Sequence, residues 1–152
     1  VPGEIVIFAD KQRIQQVLLN LIKNAAEAIG DEGNIFIDAR QSAAGTRKGA
    51  GAGRHDSLKC AVGENTVDIR IRDTGSGIPE EVLPKVFDPF FTTKDVGKGS
   101  GLGLFVAHEI IEEHGGCIAV DSATGKGTTF LIRLPLQKND GGESPKSTTD
   151  TF

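Results

Sequence analysis

Methionine is missing from all 152 residues, and the chain opens on Val1. The apolar run Ile5-Val-Ile-Phe-Ala9 starts almost at once, so the sequence reads as an excised piece of a longer protein, although removal of an initiator methionine would leave the same first residue. Cysteine is scarce. Cys60 and Cys117 lack the paired spacing of a zinc site, so free thiols in a reducing compartment are expected. No apolar run reaches the length of a membrane span, and the first residues carry no signal-peptide pattern. The expected location is cytoplasmic, which leaves open a membrane-anchored parent. An excess of basic residues is lacking too: the net charge is −4, whereas nonspecific nucleic-acid binding needs a basic face to neutralise phosphates. Nucleic acid is not an expected partner.

What is present suffices for one domain with a real core, at 38% hydrophobic and 25% charged residues. Residues 1–136 read as that domain and 137–152, polar with Gly141-Gly142 and a Ser/Thr run, as a disordered tail. Ile5 to Ala9 is β-branched and aromatic and reads as a strand. Asp10 then caps a helix on which Ile14, Val17, Leu18, Leu21, Ile22, Ala25 and Ile29 form one apolar face, ended by Gly30. A strand over residues 34–40 and a second over 66–72 flank residues 41–65, a Gly/Ala/Ser-rich stretch without a period that reads as a mobile hairpin insertion. Pro79-Glu-Glu opens a short helix through Val82, Leu83 and Val86. A last helix runs from Phe105 to His114 and stops at Gly115-Gly116. Residues 118–121 and 128–134 close the fold as a hairpin about Gly125-Lys-Gly127.

Chemistry-bearing residues cluster at the joints of this pattern. Asn20, Asn24 and Glu27 share one edge of the first helix's apolar stripe; such amides are either locally bonded or hard oxygen ligands for Mg²⁺ beside a nucleotide. Asp73-Thr-Gly-Ser-Gly77 follows a strand; it is either an Asp-Gly turn or a carboxylate at a pocket floor, able to accept from an exocyclic amine while glycines admit a flat ring. Gly97-Lys-Gly-Ser-Gly-Leu-Gly-Leu104 passes straight into a helix; it is either a flexible loop or a phosphate cradle, where glycines approach closely and the helix start offers unpaired N–H groups. Phe87-Asp-Pro-Phe-Phe-Thr-Thr-Lys94, broken by Pro89, reads as a flap that brings Lys94 near those glycines.

Together these segments resemble the N, G1, F and G2 boxes of sensor histidine kinases, here Asn20-Leu-Ile-Lys-Asn24, Asp73-Thr-Gly-Ser-Gly77, Phe87-Asp-Pro-Phe-Phe91 and Gly99-Ser-Gly-Leu-Gly103. Any one box is weak, but four in register are specific. The Phe-Phe-Thr-Thr-Lys stretch resembles the nitrogen-regulation type in particular. The resemblance implies an α+β fold of two layers, the Bergerat fold, with a mixed, mostly antiparallel sheet, helices on one face and a flexible ATP lid over residues 88–101. It also implies roles. Asp73 would bind the adenine amine and Asn24 would ligate Mg²⁺, with Asn20 supporting metal or phosphate. Lys94 and Lys98 would reach phosphates from the lid. The remaining candidate ATP contacts are Lys23 and Glu27 on the first helix, Gly75, Gly77 and Ile78 in the G1 loop, Phe87, Phe91, Thr92 and Thr93 in the flap, Gly99, Ser100, Gly101, Leu102, Gly103 and Leu104 in the G2 run, and Thr128 on the last strand.

In hydrolytic members of the wider superfamily a glutamate near the position of Asn20 activates water. An amide cannot take that proton, so hydrolysis is expected to be slow. His55, His108 and His114 are not expected phosphoacceptors, because the resemblance places that histidine on a separate upstream helical dimerisation domain, with a response regulator reached through the complete kinase. The isolated domain is expected to be a monomer. An ATP-gated regulatory module of anti-sigma type, or a serine-directed kinase, on the same fold is the alternative.

Overall fold

The computed structural model describes residues 5–42, 65–94, 97 and 99–136. The elements are α1 (Lys11–Ile29), β1 (Ile35–Ser42), β2 (Thr66–Asp73), a one-turn 3₁₀ helix (Leu83–Lys85), α2 (Gly103–Glu113), β3 (Cys117–Ser122) and β4 (Thr128–Pro135). The strands form one sheet in the order β1-β2-β4-β3, and every pairing among the described residues is antiparallel. Both helices lie on one face, so the expected two-layer architecture is what the chain adopts.

Helix α1 forms because its ends and its face agree. Asp10 accepts a hydrogen bond from the Arg13 backbone N–H at 3.2 Å, and Gly30 leaves the helix at φ +63°. Between these caps Val17, Leu21 and Ala25 are buried. Val17 and Leu21 pack with Ala107, Ile110 and Ile111 of α2 onto Val67, Ile71, Phe130, Ile132 and Leu134 of the central strands. Full burial of each large aliphatic side chain contributes about 1.5–3 kcal/mol, so this contiguous cluster dominates stability.

The N-terminal end of α1 is tied to the C-terminal end of α2. The Asp10 backbone N–H donates to His114 Nε2 at 3.1 Å, while the other ring nitrogen, Nδ1, lies 2.7 Å from the Ile110 carbonyl oxygen. An Arg13–Glu113 ion pair adds a second tie.

Three expectations need correction. Residues 5–9 belong to no strand, because a β-pattern becomes a strand only with a partner to take its hydrogen bonds. Ile7 packs against the core, while Ile5, Val6 and Phe8 are exposed. The expected helix from Pro79 is reduced to turns and one 3₁₀ turn, because Pro84 lies within it and cannot donate to an α-helical ladder. Leu83 and Val86 are nevertheless buried. Finally, Cys117 is disulfide-bonded rather than a free thiol, since distance along a chain does not set distance in space. Cys60, most of the 41–65 insertion and the 137–152 tail lie outside the described residues.

Residues alternating with the core positions of β2 stand on the sheet face without helices. There Asp68 is buried and takes a bidentate interaction from Arg133, its cross-strand partner, with Nε and Nη2 each 2.7 Å from a carboxylate oxygen. Hydrogen bonding to Asp68 raises the Arg133 guanidinium above its ordinary value, against the opposing effect of burial. Removing one partner of such a pair strands the other. Asp68→Ala is expected to cost about 3 kcal/mol in urea denaturation, whereas joint replacement of Asp68 and Arg133 by valine recovers most of that loss.

Candidate functional site

Between α1, the sheet end and the segment preceding α2 lies a cavity of about 390 Å³. Its floor is built where β2 runs out. Asp73 is the last residue of that strand and only 3% exposed, and one carboxylate oxygen, Oδ1, accepts the Gly75 N–H at 2.8 Å. The loop after it is held from two sides. On one side Ser76 N–H donates to the Ala28 carbonyl of α1 at 3.2 Å, and a Cβ on Gly75 would lie 2.6 Å from that backbone. On the other side Gly77 sits at φ +74°, where a Cβ would lie 2.0 Å from the Ala123 carbonyl oxygen in the β3–β4 turn. Only glycine meets both conditions.

Ser122 completes this brace. Its hydroxyl accepts the Ile78 N–H at 2.7 Å, donates to the Gly127 carbonyl at 2.9 Å and sits 2.8 Å from the Thr128 hydroxyl. Thr128 is itself buried and lines the cavity. Because both strands of the closing hairpin grip the loop, the Asp73 carboxyl is presented on a rigid support.

Helix α1 supplies one wall through Asn20, Lys23, Asn24, Glu27 and Ala28, which recur at three- and four-residue steps on one face. Asn20 Nδ2 donates to the Gly103 carbonyl at 3.1 Å, fixing the wall to the first residue of α2. The opposite rim is Phe91, Thr92, Thr93 and Lys94 together with Gly99, Ser100, Gly101, Gly103 and Leu104. Gly101, at φ +69°, lies against the backbone of Phe90, where a Cβ would come within 2.4 Å. Phe90 itself has φ +65°, a conformation non-glycine residues rarely adopt. Lys94 Nζ reaches across the opening to Glu27 Oε2.

Of the candidate residues, Gly77, Ile78 and the wall and rim positions just named are brought around this cavity with Asp73 and Thr128. Three are not on its lining. Gly75 is wedged against Ala28 beneath the floor, and Leu102 is the residue before α2, its N–H donating to Ser100 Oγ at 3.3 Å. Phe87 faces the core, with its ring centroid 5.3 Å from that of His108 and 6.4 Å from that of Phe130. Lys98 lies outside the described residues. Ala28, Ser76, Val82, Val86 and Phe130 also line the cavity and were not legible as site residues, since each reads locally as core or turn.

The family described as histidine kinase-, DNA gyrase B- and HSP90-like ATPase matches residues 9–138. The chain belongs to that ATPase family. Among its relatives, the sensor kinase CckA of Brucella abortus (strain 2308) is 45% identical over 129 residues, covering 85% of this chain and 13% of CckA. The sensory histidine kinase/phosphatase NtrB of Rhizobium leguminosarum bv. phaseoli is 37% identical over 158 aligned positions, covering 99% of this chain and 37% of NtrB. The catalytic domain of histidine kinase ThkA, solved in a nucleotide-free form, is 35% identical with a TM-score of 0.61, covering 85% of this chain and 71% of that one. This ATPase domain therefore spans well under half the length of these two sensor-kinase relatives.

The double grip on the G1 loop is testable. Gly77→Ala combines an unfavourable φ with a backbone clash, and is expected to lower stability by about 2–3 kcal/mol. Gly125→Ala, at φ +78° with nothing within 4 Å, carries only the conformational part, about 1 kcal/mol. Thermal denaturation of the two variants isolates the close approach.

Proposed function

We propose that this chain is the ATP-binding catalytic domain of a two-component sensor histidine kinase, which holds Mg-ATP and donates its γ-phosphoryl group to a histidine on a separate helical dimerisation domain of the same parent. The observation that carries this reading is the cavity itself. A buried carboxylate at one end, a pair of amides along one wall and a glycine-rich rim leading into a helix N-terminus match an adenine, a metal and a phosphate chain in that order.

Each residue's part follows from its position. With Oδ1 of Asp73 engaged by Gly75, Oδ2 remains as acceptor for the adenine amine. Asn24 offers an amide oxygen at the wall, and Asn20, whose amide nitrogen is taken by Gly103, turns its own oxygen to the same task. Hard amide oxygens fit Mg²⁺, an ion that takes its remaining ligands from phosphates and water. When bound, Mg²⁺ would offset the charge that develops on the transferred group. Lys94 approaches the phosphates from the cover, and the described lid residues 88–94 and 99–101 close over the nucleotide. Asn20 cannot act as a base toward water, which favours retention of ATP for transfer over hydrolysis.

Neither described histidine suits phosphoryl acceptance. Both ring nitrogens of His114 are engaged, Nε2 by the Asp10 N–H and Nδ1 by the Ile110 carbonyl, and the His108 ring packs on Phe87. The acceptor is therefore assigned to another domain, and a response regulator is reached through the complete kinase. We place the domain in the cytoplasm as a monomer that does not bind nucleic acid; no helix among the described residues is long and apolar enough to cross a membrane.

In calorimetry, Asp73→Asn is expected to abolish measurable ATP binding, and Asn24→Ala to weaken the metal dependence of what binds. Unchanged affinity in Asp73→Asn removes the pocket assignment. Incubation with γ-labelled ATP should yield acid-labile label only when the parent's histidine-bearing domain is supplied; acid-stable label would assign the chain to serine-directed chemistry instead.

A further inference from the structure

A second contact, besides that of Asn20 with Gly103, joins the two sides of the cavity. Lys94 Nζ is paired with Glu27 Oε2, linking the rim before α2 to helix α1 across a sequence separation of 67 residues. Both side chains are a little over a third exposed, at 38% and 39%, so the pair lies at the mouth, within reach of solvent and of any ligand that enters. The Lys94 side chain is guided there by its surroundings. Its backbone N–H donates to Thr92 Oγ1 at 3.0 Å, and its stem runs past Gly99, where a Cβ would lie 2.9 Å from Lys94 Cδ.

We infer that Glu27 and Lys94 form a latch that holds the rim to α1 in the nucleotide-free protein and opens when a nucleotide phosphate takes Lys94 from the carboxylate. Glu27 then acts against binding. In the empty site it neutralises Lys94, and in the filled site it is left beside a polyanion with its partner removed. An ammonium has one compact charge to offer, and a polyphosphate presents more negative charge than a single carboxylate, so the exchange runs toward the nucleotide. Because the pair is partly exposed, its contribution is modest and falls with salt. The latch thus sets how readily the rim lifts and how much affinity is spent in lifting it.

This inference rests on the nucleotide reading above for its second half only, and the two halves are measured separately. In hydrogen exchange on the nucleotide-free protein, Glu27→Gln and Lys94→Gln are each expected to speed exchange of amides 90–94 and 99–104 about two- to fivefold, the double variant no further, and high salt to reproduce the effect in the unaltered chain. Exchange unchanged in both variants overturns the latch whatever the ligand. In calorimetry, Glu27→Gln is expected to tighten ATP binding about two- to fivefold with and without Mg²⁺, and to have no such effect in the Lys94→Gln background. Weaker binding of Mg-ATP alone in Glu27→Gln would overturn the exchange of partners and assign Glu27 to the metal. If the unaltered chain binds no ATP, the nucleotide reading fails while the hydrogen-exchange result still decides the latch.

Discussion

Everything at the site depends on two backbone approaches that only glycine permits. Gly75 against Ala28 and Gly77 against Ala123 clamp the loop after β2 between the end of α1 and the β3–β4 turn. Without that clamp the Asp73 carboxyl would sit on a mobile strand end, and a cavity floor whose polar group wanders cannot select a ligand edge. The buried carboxylate is acceptable there because the Gly75 N–H satisfies one oxygen and the open cavity leaves the other accessible.

The layers of the fold serve this clamp. The amphipathic face of α1 buries Val17, Leu21 and Ala25, which fixes the rotation of the helix and so turns Asn20, Asn24 and Glu27 along its flank toward the opening. Helix α2 then begins at the rim, with its first carbonyl held by Asn20, and its far end returns to the start of α1 through His114 and Arg13–Glu113. The wall and the floor are rigid because they belong to the core.

The amphipathic pattern of α1, the alternation of β2 and β4 and the closing hairpin were legible from periodicity and turn residues alone, because each is dictated by local geometry and one buried face. Residues 5–9 show the same rule in reverse: their pattern is that of a strand, but pairing is a property of two segments. Pro84 was a local signal that the apolar spacing of Val82, Leu83 and Val86 obscured.

Spacing along the chain is enough to mark the residue types that carry the chemistry, since amides on one helix flank, a carboxylate after a strand and a glycine run before a helix are all written there. That they face a single cavity, that Phe87 turns to the core instead, and that Glu27 meets Lys94 across the mouth emerges only from the packed fold. The reason is physical: periodicity reports the direction of a side chain relative to its own element, whereas the meeting of two elements is set by how the core packs them together.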